Sequence, residues 1–146
     1  MRISFQRLDP RTNRFRIERD GHAPICCDLE TRSLLLHDFA HYAYEDAVDA
    51  GDGFYGRLYQ GASLDELRDP ALAPALMEVE QGVAMLQSAF KRGEFDHIGA
   101  GRLRQLWGAW QKIRQDQALV VRWPPGEPRL VEVTRARPGS ASDTRG

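Results

Sequence analysis

Cysteine is nearly absent from this 146-residue chain: there are two, Cys26 and Cys27, and they are adjacent. Neighbours in a strand point to opposite faces, which disfavours an ordinary disulfide between them. A reduced, cytoplasmic compartment is therefore expected, with one thiol buried and the other exposed. Long apolar runs are missing too. No 18-residue apolar stretch occurs, so no membrane-spanning helix is expected. The opening MRISFQRLDP has neither an apolar core nor a small-residue cleavage site and does not read as a signal peptide. Nor is there a large charge of one sign: the formal net charge is −1. That balance argues against nucleic acid as a partner.

What is present is ordinary in amount and uneven in position. Charged residues make up 28% and hydrophobic ones 42% of the chain, as in soluble globular proteins. The length suits one domain, expected over residues 1–137, with the small polar residues 138–146 as a loose tail. Residues 1–19 hold six Arg against Asp9 and Glu18, while residues 28–69 hold ten acids against Arg32, Arg57 and Arg68. Residues 101–137 are basic again, eight to three. An acidic surround favours a bound cation and repels phosphates, unless the blocks interleave in space and cancel.

Period-two alternation marks strands in RISFQRL and NRFRIER, with Phe15 and Ile17 on one side and Arg14, Arg16 and Glu18 on a solvated side. APICCDL reads as a third strand. Leu36, Ala40, Ala43, Ala47 and Ala50 recur at helical spacing within 34–50. Ser63 and Glu66 have the form of a capping box that opens a short helix at LDELR. Asp69 and Pro70 open a long helix whose apolar face is Leu72, Leu76, Val79, Val83, Leu86 and Phe90, closed by Gly93. Another helix carries Leu103, Leu106, Trp107, Trp110 and Ile113, with the tryptophans read as core. ALVVRW and RLVEV then read as strands joined by PPGEP. The expected class is α+β: an antiparallel sheet of the N-terminal strands joined by C-terminal strands, packed against three to four helices.

The stretch HDFAHYAYED, residues 37–46, carries the clearest chemistry. On a helix, His37 and His41 are neighbours on one face and can ligate one divalent metal ion, zinc first. Glu45, one turn further, can reach back to the second ring nitrogen of His41 and fix its tautomer. Asp38 and Glu45 are the candidate proton-moving, catalytic residues. Tyr44 lies on the same side and can donate a hydrogen bond to a ligand. Phe54 and Tyr55, in GFYGRLYQGAS, can present aromatic faces to that ligand, or plug the core instead. If Asp38 is instead the N-cap of a helix beginning at Phe39, His37 precedes the helix and the shared-face argument fails.

The segment LLLHDFAHYAYEDAVDAGDGFYGRLYQGASL resembles a group of bacterial proteins without an assigned activity. They carry P-H-D-L-x-H-x-x-V-E, then G-F-W-G, then G-A-x-F. His37, Asp38, His41 and Glu45 match the first motif, Gly53, Phe54, Tyr55 and Gly56 the second, and Gly61 and Ala62 the third. Leu36 replaces Pro and Tyr44 replaces Val, and Tyr55 stands for Trp. The likeness covers about residues 1–123 and implies a site and a fold rather than a reaction. A looser likeness to the HDxxH stretch of a ubiquinone-biosynthesis family fails at that family's last ligand, where Gly53 stands. The likeness to HExxH zinc proteins stops at His37 and His41, because Asp38 is a methylene shorter than the catalytic Glu.

Two functions are expected to compete. One is a metal-dependent enzyme acting on a small molecule, with an ion at His37 and His41. The other is a structural or partner-binding domain, for which the same helix needs no functional metal.

Overall fold

A computed structural model describes residues 1–126 and 131–135. In chain order it has β1 (Arg2–Arg7), β2 (Thr12–Glu18), β3 (Ile25–Glu30) and a π-helical turn (Thr31–Leu35). Five α-helices follow among the described residues: α1 (Leu36–Val48), α2 (Phe54–Tyr59), α3 (Leu64–Leu67), α4 (Ala73–Lys91) and α5 (Ala100–Lys112). A 3₁₀ turn, Pro70–Leu72, leads into α4, and β4 (Gln117–Arg122) and β5 (Glu132–Arg135) close the chain. The class is α+β; α3 lies where the Ser63 capping box opens a short helix, and only the short α2 is beyond the helices expected. The expected tail, 138–146, lies outside the described residues, as do Glu127 and Pro128 of the PPGEP link and Arg129 and Leu130 of the RLVEV strand. No helix among the described residues is long and apolar enough to cross a membrane. Contacts divide the chain into two compact units, Met1–Leu35 with Trp107–Gly146, and Leu36–Leu106.

The first unit holds a five-stranded sheet of order β3-β2-β1-β4-β5, antiparallel at every pairing. The C-terminal strand β4 joins β1, as the alternation pattern implies. Ile3, Phe5, Phe15, Ile17, Leu119 and Val121 are buried and share one face by register. Phe5 stands directly opposite Phe15, ring centroids 5.4 Å apart, a cross-strand pair of the kind that stabilises sheets.

The other face departs from expectation. Arg14 is buried, not solvated, and holds Asp28 of the neighbouring strand through two bonds of 2.7 and 3.0 Å. Register explains it: Arg14 lies opposite Asp28, and the planar guanidinium matches a carboxylate in bidentate fashion. Cys26 and Cys27 are both buried, so neither thiol is the exposed one expected. Neighbours on β3 point to opposite faces, and both side chains are nonetheless buried. Trp110 is buried, with the Arg7 guanidinium 4.6 Å from its ring centroid and donating to its carbonyl at 2.6 Å. Trp107 is only partly buried.

The second unit is helical. Ser63 caps α3 by accepting from the Glu66 N–H at 3.1 Å, and Asp69 accepts from Ala71 at 2.9 Å. Gly93 follows α4 with φ +76°, the left-handed conformation that glycine adopts without strain. On α4, Val83, Leu86 and Ala89 are buried, whereas Leu76 and Val79 are only half-buried. Burial becomes complete just after Gly82, where Tyr44 of α1 packs so closely that a Cβ would overlap its ring.

Candidate metal centre

Helix α1 continues directly from the π-helical turn, so His37 lies inside it rather than before it. The four-residue spacing then sets the two imidazoles together, centroids 4.8 Å apart and edge to face. Each has its Nδ1 beside a side-chain oxygen. His41 Nδ1 lies 3.0 Å from Glu45 Oε2, the reach-back that the spacing allows. His37 Nδ1 lies 3.1 Å from Gln87 Oε1 on α4. The other nitrogen of His41, Nε2, lies 3.0 Å from Glu80 Oε1, also on α4.

His37, His41 and Glu80 thus form a group whose ligand atoms lie within 4.8 Å of one another. Donors about 2.0–2.2 Å from a tetrahedral zinc stand roughly 3.3 Å apart. The His41–Glu80 pair is already near that separation, and His37 needs a small inward movement. The carboxylate half-exposed to solvent is that of Glu80, whose side chain is 50% exposed; the His41 side chain is 6% exposed.

Glu45 is fully buried. Its carboxylate accepts from the backbone N–H of Phe54 at 3.0 Å, Tyr55 at 2.9 Å and Gly56 at 3.5 Å, besides His41. These are the first amides of α2, whose N-cap, Gly53, has no side chain to satisfy them. Glu45 does so from a different helix, with its negative charge at the helix's positive end. A Cβ on Gly53 would fall within the Glu45 carboxyl group, so glycine is required for this approach. Phe54 then brings its ring to 5.6 Å from that of His41.

The other expected site residues are placed differently. Asp38 is partly exposed, but its Oδ2 is buried without a hydrogen-bond partner. Tyr55 is fully buried, and its hydroxyl donates to the Asp38 backbone oxygen at 3.2 Å. It therefore fastens α2 to α1 and offers no face to a ligand. Tyr44 packs on Gly82 instead of joining the histidines.

Electrostatics follow from this packing. Burial pushes the His41 imidazolium down, but hydrogen bonds to Glu45 and Glu80 and their charges outweigh it and raise the pKa to about 9. The hydrogen bond from His41 in turn lowers the Glu80 carboxyl. Burial raises Asp38 to about 7, against the opposing charge of His41. The Tyr55 phenol is pushed well above its usual value by burial, then by Asp38 and Glu45.

Glu80 and Gln87 were not candidates on sequence grounds. The one signal is their seven-residue spacing, which puts both on the same side of α4. No protein-family model, curated protein or solved structure matches the chain. The chemistry of the site therefore rests on its donor set: two imidazoles and a carboxylate, a combination used by zinc and by non-haem iron with positions left for substrate.

Proposed function

We propose that His37, His41 and Glu80 hold a divalent transition-metal ion, zinc first, and that the protein is a metal-dependent enzyme for a small-molecule substrate. One observation carries this reading. Both histidines have Nδ1 engaged by a side-chain oxygen, the arrangement that orients metal-bound histidines, while the Glu80 carboxylate stands 3.0 Å from the remaining nitrogen of His41. An ion there supplies a Lewis acid able to polarise a substrate oxygen. In this reading Glu45, with its oxygens committed to three amides and His41, is a positioning residue rather than a proton carrier. Asp38, with a carboxyl pKa near neutrality, is suited to hold a proton beside the site. Phe54 provides an apolar wall. The two free cysteines support a reducing, cytoplasmic setting.

The competing reading is a metal-free structural cluster. It is favoured by the two 3.0 Å contacts of His41, which can bridge Glu45 and Glu80 as an imidazolium. Calorimetric zinc titration of tag-free protein at several pH values separates the two. The imidazolium bridge contributes stability that is full below about 6.5 and lost as pH rises through about 9. Zinc must displace the same proton, so its affinity rises across that window and binding releases protons. Gln87→Leu should weaken zinc by about 10–100-fold, the usual effect of losing an outer-shell partner. Glu80→Ala should weaken it further. Equal affinity for wild type and Glu80→Ala would leave the structural reading standing.

A further inference from the structure

Away from the histidine cluster, the sheet holds two buried N–H donors that meet no acceptor among the described residues: Arg7 Nε and Asn13 Nδ2. Register brings them together. Arg7 on β1 stands directly opposite Asn13 on β2, continuing the line of Phe5 opposite Phe15 and Ile3 opposite Ile17. Directly paired residues project to the same face, with Cβ atoms about 4.5–5.5 Å apart. The apolar face of the sheet therefore ends in a guanidinium beside a carboxamide.

Each group is held in place from another side. Asn13 is fully buried, and its Oδ1 accepts from Thr31 Oγ1 at 3.3 Å, so only its NH₂ group is left to satisfy. Arg7 donates from Nη2 to the Trp110 carbonyl at 2.6 Å and sets its guanidinium 4.6 Å from the Trp110 ring centroid. No carboxylate pairs with Arg7 among the described residues. Its charge is thus met by a carbonyl and a ring face, neither of which carries a full negative charge. Arg14 on the same strand as Asn13 shows the alternative: Asp28 stands directly opposite and holds it through two bonds. A cation drawn out of water needs such a counter-charge, and buried donors as a rule have acceptors.

We infer that a small monovalent anion, of the size of chloride, binds between Arg7 Nε and Asn13 Nδ2. The donor set selects an anion over water. A guanidinium has no acceptor, and the acceptor of Asn13 is taken by Thr31. An anion needs donors alone, whereas water must also place its own hydrogens. The anion supplies the charge that Arg7 lacks as well. The next residues on this face, Phe5 and Phe15, are buried with their rings 5.4 Å apart, which favours a compact ion over an organic one. The bound ion ties β1 and β2 to Trp110.

The test follows thermal unfolding of the full chain while sodium chloride replaces sodium gluconate, a far larger anion, at constant ionic strength. The midpoint should rise by roughly 3–6 °C for each tenfold increase in chloride above its dissociation constant. Bromide should act likewise, and its anomalous scattering in crystals grown with it should lie between Arg7 and Asn13. Asn13→Asp puts a fixed carboxylate where the ion would be, as Asp28 does for Arg14. This variant should fold and lose the halide dependence. Arg7→Gln removes the charge and should lose it too, which decides the matter if Asn13→Asp does not fold. A wild-type midpoint indifferent to chloride and bromide would overturn the inference, with water serving both donors. So would an equal halide dependence in wild type and in either folded variant, the sign of a general salt effect.

Discussion

Glu45→Gln is expected to lower stability by about 3–5 kcal/mol, the cost of breaking a buried ion pair by changing one partner. The carboxylate is fully buried and accepts from three backbone amides and from His41. Glutamine keeps the shape but replaces one acceptor oxygen with an NH₂ group, which must face donors. Each buried donor left unsatisfied costs about 1–3 kcal/mol. His41 loses the charge that holds its proton. Against a total stability of about 5–15 kcal/mol for a protein of this kind, that is a large fraction. Urea unfolding at pH 7 checks it: the midpoint should fall with little change in slope. A loss under about 1 kcal/mol would mean that the α2 amides find other acceptors. The four-residue spacing alone suggests an exposed pair contributing only about 0.2–0.5 kcal/mol. Burial turns the same contact into a structural anchor.

Val83→Asp should unfold the helical unit. Val83 is fully buried on the side of α4 that also buries Leu86. The change removes about 1.5–3 kcal/mol of apolar burial and places a carboxyl where it must either stay protonated or draw in water. The combined cost is comparable to the whole stability of a small domain. Circular dichroism should show helix loss at 25 °C, and the isosteric Val83→Thr should retain the fold at reduced stability. A folded, equally stable Val83→Asp protein would refute the placement of this residue in the core.

The parts of the fold written in short-range pattern were legible. Ile3, Phe5, Phe15 and Ile17 alternate with polar residues and form the apolar sheet face. Asp69 and Pro70 open the 3₁₀ turn that leads into the long helix, which itself begins at Ala73, and Gly93 follows its end. His37, His41 and Glu45 share a helix, so their neighbourhood follows from spacing alone. Glu80 and Gln87 escaped because they reach the histidines only through the packing of α1 on α4, which no local period records. Arg14 and Glu45 were misplaced for a related reason. Each is a charged residue that composition assigns to solvent, and each is buried because a specific partner, Asp28 or the α2 amides, waits for it. Tyr55, between glycines, reads either as facing a ligand or as plugging the core, and the α2 turn capped by Glu45 carries it into the core.

The most direct measurement is the metal content of tag-free protein by elemental analysis, followed by zinc titration of the chelator-treated chain. The account predicts close to one transition-metal ion per chain, or one zinc bound on addition, lost together in the His37→Ala and His41→Ala variants while the fold is kept. Protein that carries no transition metal and binds neither zinc, iron(II) nor manganese would contradict it, and would leave His41 as an imidazolium bridging two carboxylates.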